Sequence, residues 1–202
     1  MAITREGIEP ALRAVRPDIA ELIPDRKLTQ IEPVACPGLS RYAILSITHF
    51  SPYKPLLHYI GYSEGAKAIV LSQDPEAFNA MAAADGSVAI STAKDAAAYA
   101  EAFLKVTRSL TKLTYVVHSA AEIKWMPNPG AADVARREKF EQEHGAEITA
   151  PKATANGAGF EVIVFRVLEQ DVQRATVEVS KDGAVKAEFV SIAANLPLVA
   201  GH

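Results

Sequence analysis

Between Thr48 and Tyr62 the chain gathers His49, Tyr53, His58, Tyr59 and Tyr62 into one short stretch. Histidine titrates near neutral pH, and a histidine beside a phenol can exchange protons with a bound substrate. If Phe50 ends one strand and Leu56 begins the next, His49 and His58 lie at adjacent strand ends and face one another across a hairpin. Two readings stand for this stretch. It is a structural hairpin rich in aromatic packing, or it is a ligand or proton-transfer site with His49, Tyr53 and His58 as acid and base and with Tyr59 and Tyr62 against the ligand. Trp125, the single tryptophan, joins the ligand-binding candidates. Ahead of Pro127 it either closes the core beneath a proline-rich loop or lines a pocket or partner surface.

The other reactive side chains read as structural. Two histidines fall short of the three protein ligands a zinc site needs, so no metal is expected. Cys36, beside Pro37 and Gly38, has neither a basic neighbour nor a helix N-terminus to lower its pKa and reads as inert. His118 precedes the Ser119 cap and is expected in solvent. His144 falls in the last turn of a helix, where positive charge offsets the dipole, and His202 is the terminal residue. The chain has no Gly-rich phosphate loop, dinucleotide turn, nucleophile elbow, zinc-protease motif or cysteine pair, so no cofactor is expected.

The formal net charge is −3, and Lys and Arg form no long block. Arg136, Arg137 and Lys139 alternate with Glu138, Glu141 and Glu143 as a solvated helix face does, so no nucleic-acid partner is expected. One cysteine makes an intrachain disulfide impossible. Charged residues break the stretch from Met1 to Pro24, which resembles neither a signal-peptide core nor a membrane span. The expected location is the cytoplasm, without membrane association.

The elements that must position these residues follow from periodicity. Over residues 4–23, Ile8, Leu12, Val15, Ile19, Leu22 and Ile23 recur at helical spacing, interrupted by Pro10 and Pro17, and two short helices that meet near Arg16 are expected. From Thr29 the period shortens to that of strands: residues 31–34 and 42–50, then 56–62 and 67–71, form a meander over residues 29–72. Asp74 caps a helix with Pro75 in its first turn and Gly86 beyond its end. Thr92 and Asp95 open a second, which carries Ala96, Tyr99, Phe103, Val106 and Leu110 on one face. A strand at residues 113–117, a brief helical stretch after Ser119 and an outer helix at residues 131–144 complete the helical middle, residues 74–145. A second meander, residues 160–192, has strands at 160–168, 173–179 and 184–192, and its alternation gives one buried and one wet face.

One α+β domain over residues 1–202 is the expectation, with an antiparallel sheet of about six strands, in two meanders, packed against the central helices. Set over each other, residues 43–72 and 161–190 both read strand, turn, strand, turn, strand, with Glu64-Gly65-Ala66 falling on Asp182-Gly183-Ala184, so an internal repeat is one reading and a shared glycine turn the other.

Three passages, Asp74 to Asn79, Phe103 to Arg108 with Tyr115 to Val117, and Asp182-Gly183 with Leu196 to Val199, resemble a bacterial protein family of about this length that has no assigned function. The resemblance implies a bacterial source and carries no activity onto any residue. The sequence is therefore expected to encode a non-catalytic module that binds a small ligand or peptide, or associates as a homodimer through its alanine-rich helices or its sheet. The alternative is a cofactor-free isomerase or dehydratase with a His/Tyr acid-base pocket.

Overall fold

The computed structural model describes residues 3–199, and His202 lies outside the described residues. The chain divides into two compact units. The first holds residues up to Ala89 with Val106–Arg108 and Asp182–Ala184; the second holds Ile90–Lys105, Ser109–Lys181 and the chain from Val185 on. No helix among the described residues is long and apolar enough to cross a membrane.

In the first unit, α1 (Arg5–Arg13) starts where the Thr4 hydroxyl accepts the Gly7 N–H. It gives way to α2 (Pro17–Ala20) at Arg16, which adopts a non-helical conformation ahead of Pro17, as expected of a residue before proline. The antiparallel strands β1 (Thr29–Val34), β2 (Ala43–His49), β3 (Leu56–Tyr62) and β4 (Ile69–Val70) follow, hydrogen-bonded in that order. The Leu45↔Ile60 and Ile47↔His58 pairings give β2 and β3 a common face. From it Leu45, Ile47, Ile60 and Tyr62 pack with Ile8, Leu12, Ile19 and Ile23 into one core. The helix α3 (Pro75–Asp85) has the expected boundaries: the Asp74 carboxylate accepts the Ala77 N–H, and Gly86 takes the left-handed conformation, φ 67°, that ends it without steric cost.

The helix α4 (Ala93–Val106), which lies in the second unit as far as Lys105, opens where the Thr92 hydroxyl accepts the Asp95 N–H at 3.1 Å and donates to the Asp95 carboxylate at 2.7 Å, a side-chain pair in place of a full capping box. It ends at Val106, short of Leu110. After β5 (Thr114–Val117), residues Ala120–Glu122 form a single 3-10 turn, and Ser119 makes no side-chain cap. Then come α5 (Ala131–His144), β6 (Lys152–Ala155), β7 (Gly159–Leu168), β8 (Asp171–Ser180) and β9 (Val185–Ala193). β7 lies between β8 on one side and both β5 and β6 on the other; β9 is the outer neighbour of β8. Both faces of β7 are buried, Val162 and Val164 on one, Phe165 and Val167 on the other. The second of these packs with Val117, Phe140, Val172, Leu196 and Leu198.

The α+β class with antiparallel meanders therefore holds. The strands distribute into two sheets, of four and five, where the sequence suggested one sheet of about six. The strand β6, unforeseen, exists because β7 lends it the edge from Phe160 to Ile163. Strand order and the left-handed glycines of the second turn, Gly65 (φ 76°) and Gly183 (φ 86°), recur in both meanders. The first turns differ, running over residues 50–55 in one and 169–170 in the other.

Candidate functional site

The hairpin candidates separate once the register is known. His49 pairs with Leu56, and His58 with Ile47, so the two histidines are diagonal neighbours on one face and not directly opposite. The Nδ1 of His49 is 2.9 Å from the Thr29 hydroxyl, which donates to the Leu22 carbonyl at 2.7 Å. With that proton committed, Nδ1 of His49 donates to Thr29 and the ring ties β2 to the start of β1. His58 is half-buried and makes no ring hydrogen bond among the described residues. Burial pulls its pKa down, the nearby Arg16 charge adds to that, and Asp18 opposes both. The imidazole is thus neutral near pH 7. Arg16 itself forks onto Asp18, Nε at 2.8 Å and Nη2 at 2.7 Å, an exposed pair that pulls the Asp18 carboxyl down to about 2.

Tyr53 is 99% exposed, on a turn whose Ser51 hydroxyl accepts the Lys54 N–H and donates to the Lys54 carbonyl. Tyr59 and Tyr62 are buried, but three residues apart in a strand they point to opposite faces. Tyr62 belongs to the core against α1. Tyr59 lies beneath the Arg108 guanidinium, 6.0 Å from ring centre to Cζ. Trp125, in the second unit, meets Phe140 edge-on at 5.7 Å and carries Arg137 over its face at 5.3 Å. Its backbone bridges to Leu198, so the indole fastens α5 to the C-terminal segment. Burial pushes the Cys36 thiol up to about 12, far from the thiolate a nucleophile needs. His118 contacts Glu101 at 3.1 Å, and His144 contacts Glu147 at 3.4 Å.

A half-open cleft of about 530 Å³ lies in the second unit where the β7–β8 turn meets the chain at Lys112 and Asn195. None of the six side chains singled out from the sequence lines it. Its walls are polar and engaged with one another: Lys112 pairs with Glu169 at 3.5 Å, and the Asp171 carboxylate accepts the Asn195 N–H at 3.2 Å.

The feature with unused binding capacity is on the outer half of the second sheet. The strand β9 pairs with β8 alone among the described strands. It is nine residues long, contains no proline, and exposes Glu188, Phe189, Val190 and Ser191 in succession. Beside it the register aligns Arg166 with Gln173, and Gln173 with Ser191. The Arg166 Nε donates to the Gln173 amide oxygen at 2.9 Å, and the guanidinium stacks on the Phe189 ring at 3.6 Å. Arg166 is half-buried, and burial alone pulls its pKa down to about 10. No carboxylate among the described residues pairs with it. Sequence reasoning passed over Arg166, although one signal was present: it is the lone cation in the apolar run from Val162 to Val167. Comparisons of the chain with protein-family models, with curated proteins and with solved structures find no match.

Proposed function

We propose that this chain is a non-catalytic binding module that takes up an extended peptide along the free edge of β9. The observation that carries the reading is the edge itself: over residues 186–193, which include no proline, β8 is the only partner strand among the described residues. Such an edge presents a row of unpaired N–H and C=O groups, and pairing them with an incoming strand supplies backbone affinity while side chains on alternate positions supply specificity. The first sheet offers no comparable site. Its edge strand β1 contains Pro33, and β4 has two residues, both devices that blunt an edge against further pairing.

The test is hydrogen exchange and amide chemical shifts on the full chain as a blocked, alternating valine–threonine peptide is added. Slowed exchange and shifted resonances from Lys186 to Ser191 are expected. Unchanged β9 amides at saturating peptide, or changes confined to other strands, would overturn the reading.

A homodimer through the same edge has one specific observation in its favour. Lys186 and Glu188 flank Ala187, so antiparallel self-pairing about Ala187 sets each lysine opposite the glutamate of the second copy. Sedimentation at rising concentration, with Glu188→Lys as the charge-reversed control, separates the two: a dimer weakened by the substitution favours self-pairing. A cytoplasmic setting goes with either version, since the single, half-buried and protonated Cys36 calls for no oxidising compartment.

A further inference from the structure

We infer that Arg166 receives a carboxylate borne by the strand that pairs with β9, so that the occupant of this edge is an acidic extended peptide. The inference rests on the peptide-binding reading above and specifies its partner.

The argument begins with an imbalance. A guanidinium carries five N–H donors in a rigid fork. Here Nε is taken by Gln173 and one face by Phe189, and among the described residues the two terminal nitrogens have no carboxylate within ion-pair distance. Stacking and the Gln173 bond hold the fork in one orientation, which lowers the entropic cost of receiving a planar, two-oxygen anion. A partly desolvated cation with no counter-charge is unfavourable by itself, and pairing with a carboxylate removes that penalty.

Placement then ties the cation to the edge. In the register across the sheet, Val164, Ala175 and Phe189 form one row, and Arg166, Gln173 and Ser191 the next, all on one face. Phe189 is still 42% exposed, and the guanidinium lies against its ring. A residue on an added strand beside Phe189 or Ser191, pointing to this face, comes next to the guanidinium.

The same register argues against a second copy as the occupant. Antiparallel edge pairing of two identical strands about a two-fold axis keeps equivalent faces together. On the Arg166 face β9 carries Val185, Ala187, Phe189 and Ser191, while its one acid, Glu188, pairs with Thr176 on the opposite face. Self-pairing would therefore leave Arg166 without a partner.

The test is calorimetry on the full chain with two blocked valine–threonine peptides that differ only in a central glutamate or glutamine, and with N-acetylglutamate as the free carboxylate. The glutamate peptide is expected to bind at least about tenfold more tightly than its glutamine twin, as a charge-assisted pair requires. That preference should vanish in Arg166→Gln and fall partway in Arg166→Lys, which keeps the charge without the fork. The shifts along β9 should persist in both variants. Should Arg166→Gln fail to fold, Phe189→Leu serves in its place, removing the stacked ring and reducing the preference.

Equal affinity of the two peptides for the native chain would overturn the carboxylate inference and leave the β9 reading intact. No binding of either peptide would overturn both. N-acetylglutamate binding as tightly as the glutamate peptide would overturn the strand-borne source, and self-association that blocks both peptides would overturn the acidic peptide as occupant.

Discussion

Asp85 in the first unit and Arg166 in the second are both drawn away from water, and they are accommodated in opposite ways. In the first unit Asp85, at the end of α3, is fully buried. Its carboxylate accepts the N–H groups of Ser40 at 3.1 Å, Arg41 at 2.8 Å and Tyr42 at 2.9 Å, and the Ser87 hydroxyl at 2.5 Å. Desolvation pushes its pKa up, the Ser87 hydroxyl and the three amides push it down, and the hydrogen bonds win. In the second unit Arg166 has one hydrogen bond and one aromatic face. Nothing opposes the desolvation that lowers its pKa. A charge with every valence filled serves the fold, because it closes a loop whose amides would otherwise be orphaned. A charge left half-satisfied has binding capacity to offer a ligand.

The largest effect that would test this contrast is Asp85→Ala. It removes the buried acceptor that three backbone N–H groups share, and loss of a polar network centred on a buried charge costs about 3–4 kcal/mol. The urea midpoint should fall sharply. Asp85→Asn keeps one acceptor oxygen but adds two donors facing donors, and should lose nearly as much. A loss comparable to a surface substitution would mean that the cradle is not what fixes the segment from Ser40 to Tyr42.

Next in size is acid dependence. The folded pKa of Asp85 lies below its usual value of 3.8. Its stabilising contribution is therefore fully present above the unfolded pKa and is lost as pH falls through the folded one. The gap between wild type and Asp85→Asn in chemical denaturation should be constant near neutrality and shrink once the pH drops below about 4. A gap unchanged down to the acid transition would contradict the assignment.

How much of this contrast the sequence displayed depends on the range of the signals. The helix α3 was legible in full because Asp74, Pro75 and Gly86 act on their immediate neighbours, and the Thr92–Asp95 pair marked the start of α4. The spacing of Tyr59 and Tyr62 already implied opposite faces, since side chains in a strand alternate. The Asp85 cradle was not legible, because its donors come from a loop more than 40 residues earlier in the chain. An aspartate in the last turn of a helix, where the dipole disfavours negative charge, was the available hint. The Arg166 arrangement was hidden for the same reason: it needs the register of β7, β8 and β9 together, and pairing shifted by one residue would put Phe189 on the other face. Nor could the sequence alone tell a free edge from a covered one.

A smaller change is expected at Arg166, and in the opposite direction. Replacing an unpaired, half-buried cation by an apolar chain of similar reach removes a desolvation cost, although it also gives up the stack on Phe189. Arg166→Met should leave stability unchanged or raise Tm by about 1–3 °C, the shift expected for a fraction of a kcal/mol in a chain of this size. A drop of several degrees would show that the guanidinium is satisfied within the fold, and the two charges would then be alike.

The smallest effect sharpens the contrast most directly, because it asks the folded protein whether the cation has room for an anion. A ligand that binds only the native state stabilises it by RT ln(1 + [L]/Kd), about 0.4 kcal/mol when the concentration equals Kd. Acetate is the minimal carboxylate, and at constant ionic strength it should raise the Tm of the native chain by about 1 °C over chloride near its Kd. In Arg166→Met the difference between acetate and chloride should disappear. Arg136 and Arg137, paired with Asp133 and Glu141, and the exposed Arg41 and Arg174 are common to both proteins and give them the same background. An acetate effect of equal size in native and Arg166→Met chains would place the anion elsewhere and remove Arg166 as its receptor.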